Sequence, residues 1–175
     1  LKKIRSLNNI VLRPTSSKIR QAIFNILIHG LDLENWKNKS YMLDAFAGTG
    51  IVSFEALSRG IMHSTLIEKD MEIYDTLLDN IKNLNINNDT HTINENFFNI
   101  KSLPYKYNLV FLDPPYNRGL LNHAIDLVND LKILQKKSIL ICETEKNFKL
   151  KAKFSKFIKH VKHYGRAKLI FLIFN

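Results

Sequence analysis

The feature that most constrains this chain is a glycine loop set between a strand and a helix. The apolar residues 41–45 run into Phe46-Ala47-Gly48-Thr49-Gly50, and a helical pattern follows at once. Such a loop belongs at the carboxyl end of the first strand of an open parallel sheet, the edge where α/β sheets bind ligands. Glycines at 48 and 50 permit a tight turn and let a ligand approach the backbone without meeting a Cβ atom. The helix that follows offers free N–H groups to the same ligand. The loop is not a dinucleotide fingerprint, because Ser53 stands where the third glycine would be. Nor does it carry the Lys-Ser/Thr pair of a phosphate loop.

The surrounding pattern agrees with a sheet built from βαβ units. Short apolar runs near 41–46, 63–67, 91–94, 108–112 and 138–142 read as strands, and residues 51–59, 71–84 and 119–131 read as helices. Two further strands, 154–163 and 167–174, meet at Tyr164-Gly165-Arg166, which predicts an antiparallel hairpin at the end of the sheet. Ahead of the sheet, Ser16 or Ser17 can cap a basic amphipathic helix with Ile19, Ile23, Ile26 and Leu27 on one face, ending at Gly30. The expected fold is α/β and Rossmann-like, a mainly parallel seven-stranded sheet with helices on both faces. At 175 residues and 45% hydrophobic content it forms one domain, with a basic arm and helix at 1–31 and a core at 41–175. The polar stretches at 32–40 and 85–89 punctuate the chain without dividing it.

Three strand ends carry candidate chemistry. Glu68 closes the second strand, eighteen residues beyond Gly50, where a carboxylate can accept both ribose hydroxyls of an adenosine cofactor, whether NAD or S-adenosylmethionine. Asn96-Phe97 closes the third, offering an amide to the adenine edge and a ring to its face. The sharpest signal follows the fourth, where an apolar strand empties into Asp113-Pro114-Pro115-Tyr116. An exocyclic amino group on a purine is a poor nucleophile, because its lone pair is delocalised into the ring. Two acceptors, the Asp113 carboxylate and the Pro114 carbonyl, can hold its hydrogens and aim the lone pair at a methyl donor. The fixed φ angles of Pro114 and Pro115 pre-set that turn. Tyr116 can then stack on the base.

These motifs resemble the Rossmann-like S-adenosylmethionine-dependent methyltransferases, and specifically the bacterial family of ribosomal RNA small subunit methyltransferase D, which methylates N2 of a guanine in 16S ribosomal RNA. The resemblance covers residues 12–174. It rests on Arg13-Pro14-Thr15 with Arg20 five residues on, the run from Leu43 through Gly50, Glu55-Ala-Leu-Ser-Arg-Gly60, Glu68, and Val110-Phe-Leu-Asp-Pro-Pro-Tyr116. It implies S-adenosylmethionine as cofactor. The methionine end would lie on Asp44, Phe46, Ala47, Gly48, Thr49 and Gly50, the ribose on Glu68 beside Lys69, and the adenine near Asn96 and Phe97. The methyl group would lie beside Asp113 and Pro114, with Pro115 and Tyr116 completing the catalytic element. It also implies 16S RNA in an assembled or assembling small subunit as partner, with Arg13, Thr15, Lys18, Arg20 and Tyr116 on the RNA side.

Charge points the same way. The net charge of +10 is concentrated at the ends: residues 1–31 carry six basic and no acidic groups, residues 146–175 nine and none, while 32–145 carry eleven basic against sixteen acidic. Two basic ends suit a polyanion. Twenty lysines and nineteen asparagines also mark a composition that inflates the excess, and the Lys149, Lys151, Lys153, Lys156, Lys159 and Lys162 series reads equally as a phosphate surface or as a guard on an edge strand. The single cysteine, Cys142, excludes an internal disulfide and is expected as a small buried residue in a cytoplasmic protein. Trp36 is expected to pack beneath the helix–strand junction, and Glu143 to end the fifth strand near the cofactor edge. The longest apolar run, 169–174, is too short to span a bilayer. The first residue is Leu and no secretion signal follows, and the histidines show no metal-ligand spacing, so neither membrane nor metal is expected.

Other functions fit less of the sequence. Adenine-N6 methylation of DNA or RNA uses the same acid-Pro-Pro-Tyr chemistry, but the sixty-two residues between Gly50 and Asp113 are filled by the sheet pattern and leave no room for a DNA recognition domain. A catalytically inactive RNA-binding protein would need no acid beside a cofactor loop. An NAD-linked dehydrogenase fits Glu68 but lacks the third glycine.

Overall fold

A computed structural model describes residues 15–31, 39–116 and 119–174; Arg13, Pro14 and Trp36 lie outside them. Seven strands form one sheet: β1 (Tyr41–Asp44), β2 (His63–Glu68), β3 (Thr90–Asn94), β4 (Tyr107–Leu112), β5 (Leu134–Glu145), β6 (Ile158–Tyr164) and β7 (Ala167–Phe174). Their order is β3-β2-β1-β4-β5-β7-β6. β1 through β5 pair parallel, and β7 pairs antiparallel with both β5 and β6, so the hairpin at the end of the chain is present. Because β2 and β3 lie on one side of β1 while β4 and β5 lie on the other, the strand order reverses between β1 and β4. A crevice opens at the carboxyl ends of strands at such a reversal.

Alternating side chains divide the core into two layers. Met42, Leu109, Phe111, Ile141, Leu169 and Phe171 face α1 (Ser17–Gly30) and α2 (Ile51–Ser58). Leu43, Val110, Leu112, Leu140, Cys142 and Leu172 face the other way, onto α4 (Leu120–Asp130). Cys142 is free and buried, as its surroundings in the sequence suggested. α3 (Met71–Leu84) packs Leu77 and Ile81 against Leu66 and Phe54. Local signals set the helix starts. The Ser16 hydroxyl accepts from Ile19 N–H at 3.2 Å, and the Asp70 carboxylate accepts from Glu72 and Ile73 N–H at 3.1 Å. α3 ends at Asn85, which adopts φ 58°. None of the described helices is long and apolar enough to cross a membrane.

Two strand boundaries differ from the sequence pattern. β5 begins at Leu134 rather than 138, because Lys137 at φ 61° absorbs a register shift against β4 between Tyr107 and Leu109. Residues 154–157, read as strand, form the end of a 3₁₀ turn spanning Ala152–Phe157. Phe154 and Phe157 both join the α4-side core, and a spacing of three puts two side chains on one face of a 3₁₀ turn but on opposite faces of a strand.

Gly50, at φ 85°, is the glycine that the packing requires. A Cβ there would stand 2.6 Å from Leu77 Cδ1 and collide with the Phe54 ring, whereas one on Gly48, at φ 55°, would meet nothing within 4 Å. Gly50→Ala is expected to cost about 2–4 kcal/mol through left-handed strain plus overpacking, and Gly48→Ala about 1–2 kcal/mol from strain alone. Urea denaturation of the two variants checks the difference.

Candidate active site

A cavity of about 740 Å³ opens at the strand reversal, walled by the ends of β1, β2 and β4, the glycine loop and Thr15. It has the size and the largely apolar walls of a small-molecule site. The glycine loop is held by backbone bonds: Ala47 N–H to Ile67 O and Gly50 N–H to Ala47 O, both at 2.9 Å. Asn80, buried on α3, donates to Thr49 O at 3.2 Å. Glu68 then ties the loop to the start of α3. One carboxylate oxygen accepts Gly48 N–H and the other Asp70 N–H, each at 2.9 Å. Its carboxylate keeps acceptor capacity beyond these two bonds.

The floor of the loop holds the most perturbed acid of the site. Asp44 is 1% exposed, and burial pushes its carboxyl up to about 7 against the opposing pull of its hydrogen bonds with Ser53 and Phe46; nearby Glu68 adds a smaller upward push. Ser53 Oγ donates to Asp44 Oδ2 at 3.0 Å, and Ser64 Oγ donates to Ser53 Oγ at 3.0 Å. Among the described residues Asp44 Oδ1 is buried without a hydrogen-bond partner, and Asp44 is part of the cavity wall. A buried carboxylate oxygen left in this state suits an ammonium group on a ligand. The serine at the third-glycine position thus acts as the carboxylate's holder. Its register in the loop hinted at a departure from nucleotide folds, but nothing in the sequence paired it with Ser64.

The other expected residues fall around the same cavity. Lys69, exposed, and Asn96, half-buried, line it. The Asn96 side-chain oxygen accepts Phe98 N–H at 3.2 Å, capping a short 3₁₀ turn at Phe97–Asn99. Phe97 is 1% exposed and packs in the core, edge-on to Phe46 at 5.6 Å. The more accessible ring is Phe98, which the sequence reading passed over; it lines the cavity and stacks on His123 at 4.7 Å. Beyond β4, Asp113, Pro114, Pro115 and Tyr116 form the opposite wall, with Pro114 buried and Pro115 exposed. Tyr116 Oη donates to Glu143 Oε1 at 3.4 Å, and Glu143, two residues before the end of β5, is 2% exposed.

The structure divides the residues expected to face RNA. Thr15 is 7% exposed and belongs to the cavity wall, so its side chain serves the pocket rather than an outer surface. Arg20 is half-buried, its Nη1 donating to Thr15 O at 2.8 Å, which fixes the entry of α1 over the pocket. Lys18 is exposed. Arg13 lies outside the described residues. Among those that are described, no group of three or more His, Cys, Asp or Glu side chains converges as a metal site.

The Asp44 carboxyl makes stability depend on pH in a definite sense. Its native value near 7 lies above the ordinary 3.8, so between those values the native state keeps a proton that the unfolded chain has shed. Raising the pH from about 4 to 7 therefore favours unfolding, by on the order of 4 kcal/mol from this group. Asp44→Asn should flatten that part of the profile, measured as denaturation midpoints across pH 4–8.

The chain is similar to known proteins along nearly its whole length. Residues 1–173 match the family model described as Conserved hypothetical protein 95. Ribosomal RNA small subunit methyltransferase D of Buchnera aphidicola from Acyrthosiphon pisum is 38% identical over 137 residues, covering 77% of this chain and 68% of that protein. The Escherichia coli K12 protein of the same name is 36% identical over the same length, 65% of that protein. Against these relatives the chain thus spans about two thirds of their length. Among solved structures, Escherichia coli yhhF, named as a methyltransferase, superposes with a TM-score of 0.77 at 31% identity, covering 93% of this chain and 87% of that one. A Haemophilus influenzae chain named as a methylase gives 0.76 at 26% identity, covering 91% and 98%. With the glycine loop, Glu68 and Asp113–Tyr116 gathered on one cavity, the chain belongs to the ribosomal RNA small subunit methyltransferase D family of Rossmann-like methyltransferases.

Proposed function

We propose that this chain transfers a methyl group from S-adenosylmethionine to the exocyclic N2 amino group of a guanine in 16S ribosomal RNA, within a small ribosomal subunit. The observation that carries the reading is the placement of Asp113–Tyr116 on the wall facing Asp44 and Glu68 across one cavity. Asp44 Oδ1 would accept from the cofactor's ammonium, Gly48 leaves room for close approach, Glu68 would hold the ribose, and Asn96 and Phe98 would flank the adenine. When bound, the cofactor supplies an electrophilic methyl on a sulfonium centre.

The protein's part is positioning and electrostatics. The Asp113 carboxylate and the Pro114 carbonyl accept the two N2 hydrogens, which draws the amino nitrogen toward a pyramidal geometry and aims its lone pair. With the methyl transferred from the sulfonium to nitrogen, Asp113 or water would take up the proton that the amino group releases. Tyr116, with its hydroxyl turned toward Glu143, presents its ring as a stacking platform for the guanine. Recognition of the base in its RNA context falls to the substrate's own fold, since the chain between the glycine loop and Asp113 is occupied by α2, β2, α3, β3 and β4.

A transfer assay with methyl-labelled cofactor, offering unmodified small subunits, naked 16S RNA and unmethylated duplex DNA, tests the reading. N2-methylguanosine on subunits is the expected product. N6-methyladenine would keep the catalytic wall and move the substrate class. Asp113→Ala should lower kcat by about 10²–10³-fold while cofactor binding persists. Tyr116→Ala should weaken base capture by about 1–3 kcal/mol, seen mainly in KM. An ammonium beside Asp44 favours the ionised carboxylate, so cofactor affinity should rise with pH toward and through 7. Glu68, Lys69 and Asp113 line the same cavity, and calorimetric titration of Asp44→Asn, whose profile should lack the rise through 7, isolates the Asp44 contribution.

A further inference from the structure

The sequence offers a series of C-terminal cations without saying which of them face the reaction. The sheet register separates them. β5 and β7 pair Glu143 with Leu169 and Glu145 with Ala167, while β7 and β6 pair Leu169 with Lys162 and Ala167 with Tyr164. β4 and β5 pair Leu112 with Cys142, so Asp113 stands level with Glu143. One row across the sheet therefore runs Asp113, Glu143, Leu169, Lys162. Three strand spacings, about 14 Å, separate its ends. The β6–β7 turn, with Gly165 at φ 58° over open space, projects from the same edge as the cavity. Lys162, His163 and Arg166 are exposed there, and Lys146, also exposed, joins them through its N–H bond to Arg166 O at 3.0 Å.

Five of the other C-terminal cations are occupied or remote. Lys151 and Lys153 both pair with Asp126 on α4, at 2.6 and 2.5 Å. Lys168 donates to Phe148 O. Lys156 lies over the Phe157 ring, and Lys159 follows Ile158, which is level with Leu172 and Leu140 toward the opposite edge of the sheet. Thr15, just ahead of α1, lines the cavity that opens at the tip's edge of the sheet. Glu145 is the nearby acid, and its Oε2 already accepts from the Thr144 hydroxyl at 2.9 Å.

We infer that the β6–β7 tip, through Lys162 and Arg166 with Lys146 and His163 beside them, is a docking surface for RNA phosphates flanking the nucleotide held at Asp113–Tyr116. The inference rests on the proposed RNA substrate and adds the surface that holds it. None of the four tip residues lines the cavity, so the tip contributes to substrate capture without entering the chemical step. Two phosphate contacts released as counterion sites would account for a salt slope of about two and about tenfold in affinity.

The test compares the double variant Lys162→Ala/Arg166→Ala with Lys156→Ala/Lys159→Ala at the other edge. Fluorescence anisotropy with labelled 16S RNA fragments at several salt concentrations reads binding, and the transfer assay reads kcat and KM. The tip variant is expected to bind RNA about tenfold more weakly, with a salt slope shallower by about two and with kcat and cofactor affinity within twofold. The opposite-edge variant is expected to match the parent. Unchanged RNA affinity in the tip variant, equal losses in both variants, or a parent protein that binds no RNA would each overturn the docking surface. RNA binding that depends on the tip without N2-methylguanosine formation would overturn the proposed reaction while leaving the surface intact.

Discussion

The pairing of β1 with β4 is the constraint on which the site depends. The two strands are separated in the chain by two crossover units, yet they lie side by side with Met42 against Leu109 and Asp44 against Phe111, and Ala45 N–H reaches Phe111 O at 3.2 Å. Right-handed crossovers carry β2 and β3 to one side and β5 to the other, which opens a crevice above β1 and β4. Both chemistry-bearing segments emerge there. The glycine loop leaves β1 and the Asp-Pro-Pro-Tyr turn leaves β4, and the cavity is the space between them.

The site also uses buried polarity that folding alone would disfavour. Ser64, Ser53 and Asp44 form a chain of hydroxyls and carboxylate under the glycine loop, and its last oxygen has no hydrogen-bond partner among the described residues. Burying such an acceptor costs stability. The structure tolerates it because the surrounding strands are fully packed: Leu43, Leu66 and Val110 are 0% exposed. Gly50 shows the same economy from the other side, with Phe54 and Leu77 occupying the space that a side chain would need. The loop is therefore held rigidly from beneath while Gly48 stays open above.

Much of this was legible in the chain because strands and helices leave periodic marks. The helix starts at Ser16 and Asp70 follow from side chains that accept first-turn N–H groups, the end at Asn85 follows from its left-handed backbone, and the apolar runs of β1, β2 and β4 reflect strands buried on both faces. Legibility failed where long-range packing overrode local pattern. Alternation suggested a strand from 154, but Phe154 and Phe157 reach one core face as a 3₁₀ turn. Phe97 and Phe98 are adjacent and chemically alike, and only the register of the turn capped by Asn96 decides which ring is buried and which lines the cavity. Thr15 lies beside basic residues in sequence, yet α1 folds it onto the pocket.

The sequence by itself determined the fold class, the loop that receives a ligand and the acid-Pro-Pro-Tyr element, because each is written in contiguous residues whose backbone preferences and side-chain chemistry act locally. The tertiary structure alone decided which groups share a wall. It joined Asp44 to Ser53 and Ser64, turned Tyr116 toward Glu143, and paired Lys151 and Lys153 with Asp126 while leaving Lys162 and Arg166 exposed at the cavity edge. Those assignments depend on strand order and register, which bring together residues far apart in the chain and which no local preference encodes.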